Sequence, residues 1–248
     1  MADLLISLGI SATTYWFCVA AVLLAAFVQR LSGQAFGMIA APLVALVAPE
    51  YLPAGLLLLG IVVGLSSTAV DLSALAPKEI GPGFFGRALG GVLAALIAAR
   101  LASTDTLSLL IGAVVLIAVA LSVLGWRVAI RPVTLVTAGV AAGLMGTLTA
   151  IGAPPMAMLY QYEPAKRARA MQNAFFFWGM CVSVLALWWQ GLVTQAHLVF
   201  ALSLLPAIGV GLVISMPVAK RMEKQTVRPY ALGLSTVAAL VLIVRTVV

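Results

Sequence analysis

Long, continuous apolar segments fill almost the whole chain and constrain its fold more than any other feature. Of the 248 residues, 64% are hydrophobic and 8% are charged, and the mean hydropathy is +1.19. Soluble domains are about a quarter charged, so a chain this apolar needs a bilayer around it. In lipid only helices and closed barrels satisfy every backbone group, and the runs lack the two-residue alternation of barrel strands. The sequence therefore predicts an all-α integral membrane protein.

Breaks between the apolar runs divide the chain into two halves with the same plan. Each half begins with an interrupted segment and continues with three uninterrupted spans. In the first half, runs at 11–28 and 36–48 flank a break at 29–37, and the three spans are 53–75, 84–101 and 107–125. In the second half, a run at 133–148 is followed by a break at 149–155 and a short run to 160, and the three spans are 170–189, 198–218 and 230–247. Twofold repeats of interrupted helices are typical of transporters. We expect membrane repeats at 1–128 and 129–248, the alternative being a likeness by composition alone.

The distribution of Lys and Arg favours one topology. If each interrupted segment crosses the membrane once, eight basic residues lie on one side and five on the other. If each is a V that enters and returns, Arg100 and Arg245 face one side, and eleven share the other: Lys78, Arg87, Arg127, Arg131, Lys166, Arg167, Arg169, Lys220, Arg221, Lys224 and Arg228. Basic residues concentrate in cytoplasmic loops, which selects the V. Each half then crosses the membrane a net three times, which makes the two repeats inverted relative to each other. We expect the protein in the cell (inner) membrane, with both termini outside the cytoplasm.

Two segments carry a family resemblance. In residues 27–42, a basic residue, Ser32-Gly33, Phe36-Gly37 and a proline five residues later resemble the first signature of the sulfite exporter TauE/SafE family. Residues 143–159 resemble its second signature, Gly-Ile-Gly-Gly-Pro-Pro, with Ala150 and Ala153 in place of two glycines. The resemblance implies a transporter that exports or imports a small anion: sulfite, an organosulfonate such as sulfoacetate, or a small carboxylate.

The residues in the two breaks suit an anion. Glycines there release backbone N–H groups at the starts of the short arms, and a helix N-terminus combines such donors with partial positive charge. Hydroxyl and amide side chains add neutral donors, and one arginine adds a cation that could instead anchor the tip of the V. The candidate substrate-binding residues are Arg30, Ser32, Gly33, Gln34, Gly37, Gly146, Thr147, Thr149, Gly152, Pro154 and Asn173. Close helix packing is the alternative for the glycines.

Other features bear on coupling and on rival functions. Asp71 follows Ser66-Ser67-Thr68 near the end of a span and is a candidate carrier of a coupling proton, with simple solvation as the alternative. One histidine, and no paired carboxylates within a span, predict neither an enzyme nor a metal or cofactor site. The net charge of +7 fits the topology rule better than a nucleic-acid partner. A passive anion channel, a structural membrane subunit and a homodimer stay open as alternatives.

Overall fold

Helices make up most of the part of the chain that the structure describes. The computed structural model describes residues 2–32, 35–100, 104–124, 127–221, 233 and 236–244. The helices are α1 (Ala2–Leu8), α2 (Ala12–Ser32), α3 (Phe36–Ala45), α4 (Ala54–Thr68), α5 (Pro77–Ala98), α6 (Thr104–Leu124), α7 (Pro132–Thr149), α8 (Ala153–Tyr160), α9 (Ala165–Trp189), α10 (Gln195–Arg221) and α11 (236–244). Helices α2, α5, α7, α9 and α10 are long and apolar enough to cross a membrane. The predicted all-α membrane fold is confirmed.

Both predicted interruptions are present. Helix α2 gives way to the 10-residue α3, and α7 gives way to the 8-residue α8. A full crossing needs about 20 residues, and both short arms are well below that length. At the second interruption Ala150 adopts a left-handed conformation, with φ of 61°, and its N–H donates to the Gly146 carbonyl. That conformation ends α7 and redirects the chain into α8.

Contacts at the outer ends of the arms show how each interrupted pair is arranged. The Tyr51 hydroxyl, just after α3, donates to the carbonyl of Leu8, just before α2. The Arg127 guanidinium, before α7, lies 4.7 Å from the centre of the Tyr162 ring, just after α8. In each pair the segment before the long helix therefore lies next to the segment after the short arm.

Close crossings hold the longer helices together. A Cβ built on Gly86 or Gly90 of α5 would lie 2.2 Å from a backbone carbonyl oxygen of α7. On Gly211 of α10 it would lie 2.5 Å from the Leu23 carbonyl of α2. Helices α4 and α9 pack antiparallel between these two pairs. Small residues allow such approach between membrane helices.

The observed helices extend beyond several predicted spans. Helix α5 begins at Pro77, seven residues before the predicted start at 84, and α9 begins at Ala165 instead of 170. Proline suits the first turn of a helix because the N–H that it lacks has no partner there. The predicted span at 53–75 is instead the shorter α4 followed by a 3₁₀ turn at Leu72–Ala74.

Candidate functional site

The two interruptions meet inside the bundle. A Cβ built on Gly37, at the start of α3, would lie 2.0 Å from the carbonyl oxygen of Ala150 and 3.3 Å from Cα of Ile151. The backbone of α3 therefore touches the backbone of the α7–α8 break directly. Only glycine permits this approach, because any side chain would need the space that the carbonyl occupies.

A buried arginine lies beside this contact. Arg87 is 3% exposed and is the eleventh residue of α5, about 15 Å along a helix that is long enough to span the bilayer. One terminal nitrogen donates to the Ala142 carbonyl at 2.7 Å. Because a buried charge in a membrane helix is expensive, this arginine is a candidate functional residue whose partner needs to be named.

Glycines from three segments form the walls around the Arg87 guanidinium. A Cβ built on Gly179 of α9 would lie 2.1 Å from Nε. On Gly146 of α7 and Gly152 of the break it would lie 2.5 and 3.1 Å from a terminal nitrogen. Larger residues at these positions would displace the cation, so the glycines create the space that it occupies.

Within the described residues, no carboxylate forms an ion pair with Arg87. The chain does pair other arginines with acids: Arg167 contacts Glu79 and Glu163, and Arg169 contacts Asp71 at 3.1 Å. A buried charge without a counter-ion keeps most of its desolvation cost. Arg87 therefore differs from these arginines in having no counter-ion among the described residues.

A small cavity adjoins the arginine. It is lined by Arg87, Ala142, Gly152, Ala153, Met156, Gln172, Phe175 and Phe176. The volume open to the centre of a water-sized sphere is about 10 Å³, which is room for about one water molecule. The site is therefore closed in this conformation.

A family model matches residues 18–242, and its description is sulfite exporter TauE/SafE. The chain belongs to the sulfite exporter TauE/SafE family. It is accordingly a multi-pass membrane protein and a transporter of sulfite or related anions. No curated protein and no solved structure matches the chain.

The structure brings some predicted site residues of this TauE/SafE chain together at the cavity. Gly37, Gly146 and Gly152 all lie where the two breaks and Arg87 converge. Pro154 is buried in the first turn of α8. Gly33 and Gln34 lie outside the described residues, as does the side chain of Ser32.

Three other predicted donors have partners within the protein. The Thr147 hydroxyl is 2.6 Å from that of Ser183, and Thr149 donates to the Met145 carbonyl at 2.7 Å. The side-chain oxygen of Asn173 accepts a hydrogen bond from Gln29. The Thr147 and Asn173 bonds connect different helices, whereas the Thr149 bond lies within α7. All three groups would need to exchange partners to bind an anion.

The predicted cation and coupling residue lie apart from the cavity lining. Arg30 is half-buried in the last turn of α2. Asp71 is 6% exposed and pairs with Arg169 in the connection that follows α4. Neither residue lines the cavity beside Arg87.

The starts of the short arms offer fewer free N–H groups than the sequence suggested. The Phe36 N–H of α3 donates to the side-chain oxygen of Gln29 at 2.9 Å. In the first turn of α8, Pro154 and Pro155 have no backbone N–H group to donate. The cation at the site is thus a side chain, and the arm termini contribute less.

The assignment of Arg87 to the cytoplasmic face is wrong. The sequence reading began the span at 84, which put the arginine at its edge. The helix begins at Pro77, so Arg87 lies near its middle. The sequence signal was a charge inside the small-residue run Gly83-Phe-Phe-Gly-Arg-Ala-Leu-Gly-Gly91.

Proposed function

We propose that the chain is a secondary transporter, working as an exporter, whose substrate binds beside Arg87 where the two interruptions meet. The substrate is a small anion such as sulfite, a sulfoacetate-like organosulfonate or a small carboxylate. The single observation that carries the proposal is the buried guanidinium, which has a glycine-walled space and no described carboxylate partner. A guanidinium can give two parallel hydrogen bonds to a sulfonate or carboxylate.

The packing supports inverted repeats at 1–128 and 129–248. The two V-shaped pairs, α2–α3 and α7–α8, occupy equivalent places in the two halves. If α2 corresponds to α7 and α5 to α10, then the crossing of α5 with α7 corresponds to that of α10 with α2, and both crossings occur. Helices α4 and α9, equivalent in this scheme, pack against each other. An inverted repeat brings two interruptions together at mid-depth.

Ion pairs at one end of the bundle support the proposed orientation. Glu79 in the first turn of α5 pairs with Arg167, and Asp71 after α4 pairs with Arg169, both near the start of α9. These basic residues share the face proposed to be cytoplasmic. The first V opens toward the opposite face, where His197 lies 3.2 Å from the Glu50 carbonyl. On this proposal the protein lies in the inner membrane with both termini outside the cytoplasm.

The closed cavity favours a transporter over a passive channel. A channel needs a continuous polar path across the membrane. The closed space beside Arg87 has room for about one water molecule. An anion therefore enters only after the helices around the site move apart. Alternating access of this kind is general in transporters with inverted repeats.

Replacement of Arg87 tests the proposal. In the purified chain, thermal shifts against sulfite, sulfoacetate, taurine, lactate and chloride identify the anion that stabilises the wild type. Arg87→Gln should weaken binding of that anion at least about 30-fold, because loss of one member of a buried charge pair costs about 2 kcal/mol or more. The anion affinity of Arg87→Lys should lie between those of the wild type and Arg87→Gln, since an ammonium gives no bidentate contact.

Thermal stability without ligand separates binding from a structural role. Arg87→Gln should melt at or above the wild-type temperature, because it removes a buried charge that has no counter-ion. Arg100→Gln is the matched control, since Arg100 is exposed after α5, and it should bind normally. Arg30→Gln tests the remaining cation candidate. Wild-type affinity in Arg87→Gln, or loss of affinity in Arg30→Gln alone, would contradict the assignment.

A further inference from the structure

Two hydroxyl groups at the end of α4 have no partner. Ser67 is 4% exposed, and neither its oxygen nor that of Thr68 makes a hydrogen bond with the described residues. A hydroxyl within a membrane helix usually donates to a carbonyl of the preceding turn. Ser66 does so at 2.9 Å to Val62, as do Thr149, Ser203 and Ser215 in their own helices. Ser67 and Thr68 depart from this pattern.

The packing of α4 against α9 locates these hydroxyls. A Cβ on Gly60 would lie 2.9 Å from the sulfur of Met180, and one on Gly64 would lie 2.9 Å from Cα of Phe177. Further along, Asp71 pairs with Arg169. The two helices are therefore antiparallel, and positions 67 and 68 are level with positions 172 and 173.

Gln172, on α9 at the same level, adds a third oxygen without a partner among the described residues. Gln172 is 5% exposed, and its side-chain oxygen makes no hydrogen bond with the described residues. Gln172 also lines the cavity beside Arg87. Three buried oxygen atoms thus lack partners at one depth, although buried polar groups are almost always satisfied.

Two features near this depth attract a cation. Helix α4 ends at Thr68, and the C-terminal end of a helix carries partial negative charge from its last carbonyl groups. The carboxylate of Asp71 lies one turn further on and is itself buried. Hydroxyl, carboxamide and carbonyl oxygens are the ligands that hard cations prefer, and helix C-termini coordinate Na⁺ in other transporters.

We propose that Ser67, Thr68 and Gln172 bind Na⁺ next to the anion held by Arg87. The proposal rests on the proposed transport function and specifies its coupling ion. Because Gln172 belongs to both sites, Na⁺ and the anion lie near each other in a low dielectric, where opposite charges attract strongly. Each ion therefore raises the affinity for the other.

The experiment measures anion affinity with and without Na⁺. The purified full-length chain is titrated with the anion found in the thermal-shift screen, in Na⁺ or choline at constant ionic strength and pH. We expect Na⁺ to raise the affinity by about fivefold or more, the lower range of ordinary coupling energies. In proteoliposomes, an imposed Na⁺ gradient should drive the anion with it in the absence of an anion gradient.

Substitutions on α4 test the residues. In Ser67→Ala/Thr68→Val the anion affinities in Na⁺ and choline should become equal. Ser66→Ala is the matched control on the same turn, because the Ser66 hydroxyl already has its partners, and it should keep the enhancement. Comparison of size-exclusion profiles checks that the variants fold.

The outcomes distinguish this proposal from the transport function. Anion affinity and transport that are identical in Na⁺ and choline overturn the Na⁺ site and leave the Arg87 site standing. Transport driven by a proton gradient but not by Na⁺ overturns it in the same way. Equal loss of the Na⁺ effect in Ser66→Ala would show that the hydroxyls act through helix packing, which also overturns the assignment.

Discussion

The contact between the two interruptions makes Gly37→Ala a sensitive perturbation. The added methyl would lie 2.0 Å from the Ala150 carbonyl oxygen, whereas ordinary contact begins at 3.4 Å. The two backbones must therefore separate by about 1.4 Å. Both partners are backbone, so no side chain can rotate away to relieve the clash.

The expected cost follows from two opposing effects. Overpacking in a close-packed interior costs about 1–3 kcal/mol, while replacing glycine by alanine within a helix returns at most about 1 kcal/mol. Because the clash is between two backbones, we place the cost at the upper end of that range and expect a net loss of about 2 kcal/mol, or about 4–8 °C in melting temperature for a chain of this size. A displacement of about 1 Å in an organised site can cost on the order of 100-fold in rate, so transport should fall by at least about tenfold.

The assay compares anion counterflow in proteoliposomes with the melting temperature of the same preparation. Gly209→Ala on α10 is the control, because nothing lies within 4 Å of its added methyl, and it should transport normally. Gly139 is unsuitable as a control, since a Cβ there would lie 2.7 Å from the Gly83 carbonyl. A Gly37→Ala protein with wild-type transport and stability would refute the direct contact between the interruptions.

Two further predictions concern topology and backbone strain. With Cys18 and Cys181 replaced, a cysteine at position 3 should react with an impermeant reagent in intact cells, because both termini are proposed to lie outside; reaction only after lysis would reject this orientation. Ala150→Val should lower the melting temperature, since a β-branched residue fits the left-handed region poorly, at a cost on the order of 1 kcal/mol. Ala150→Gly should retain stability, and equal melting of the two variants would show that the φ of 61° does not determine stability there.

The sequence predicted the fold well because this fold depends mainly on hydropathy and on helix-breaking residues. Apolar runs and the glycines near Gly37 and Gly152 located both interruptions, and the all-α membrane fold is confirmed. Hydropathy determined helix ends less well, because charged and proline-containing first turns such as Pro77-Lys-Glu are polar yet helical. That error of one or two turns was enough to place Arg87 at a surface.

The site was only partly predictable for a related reason. Glycines in breaks are visible in the sequence, and Gly37, Gly146 and Gly152 do converge. Gly179 lies in an uninterrupted helix and gave no such signal, although it contacts the arginine. Which helix faces approach one another depends on packing between distant segments. The partnerless oxygens of Ser67 and Gln172 likewise become visible only when hydrogen bonds are assigned across helices.

The two faces of the bundle differ in the contacts that would break if the closed site opens as proposed. On the proposed cytoplasmic face, parting α4 from α9 would separate the side chains of Arg169 and Asp71, which are 32% and 8% exposed. On the opposite face, opening would break neutral hydrogen bonds such as that of Tyr51. Parting an ion pair with a buried carboxylate leaves a charge without its partner, which costs more than losing a neutral bond. A cation at the end of α4 would share the Asp71 carboxylate with Arg169 and so reduce the cost of opening the charged face. Occupancy of the proposed Na⁺ site and access to the anion site would then be linked through the Asp71 carboxylate, which the sequence analysis offered instead as a candidate carrier of a coupling proton.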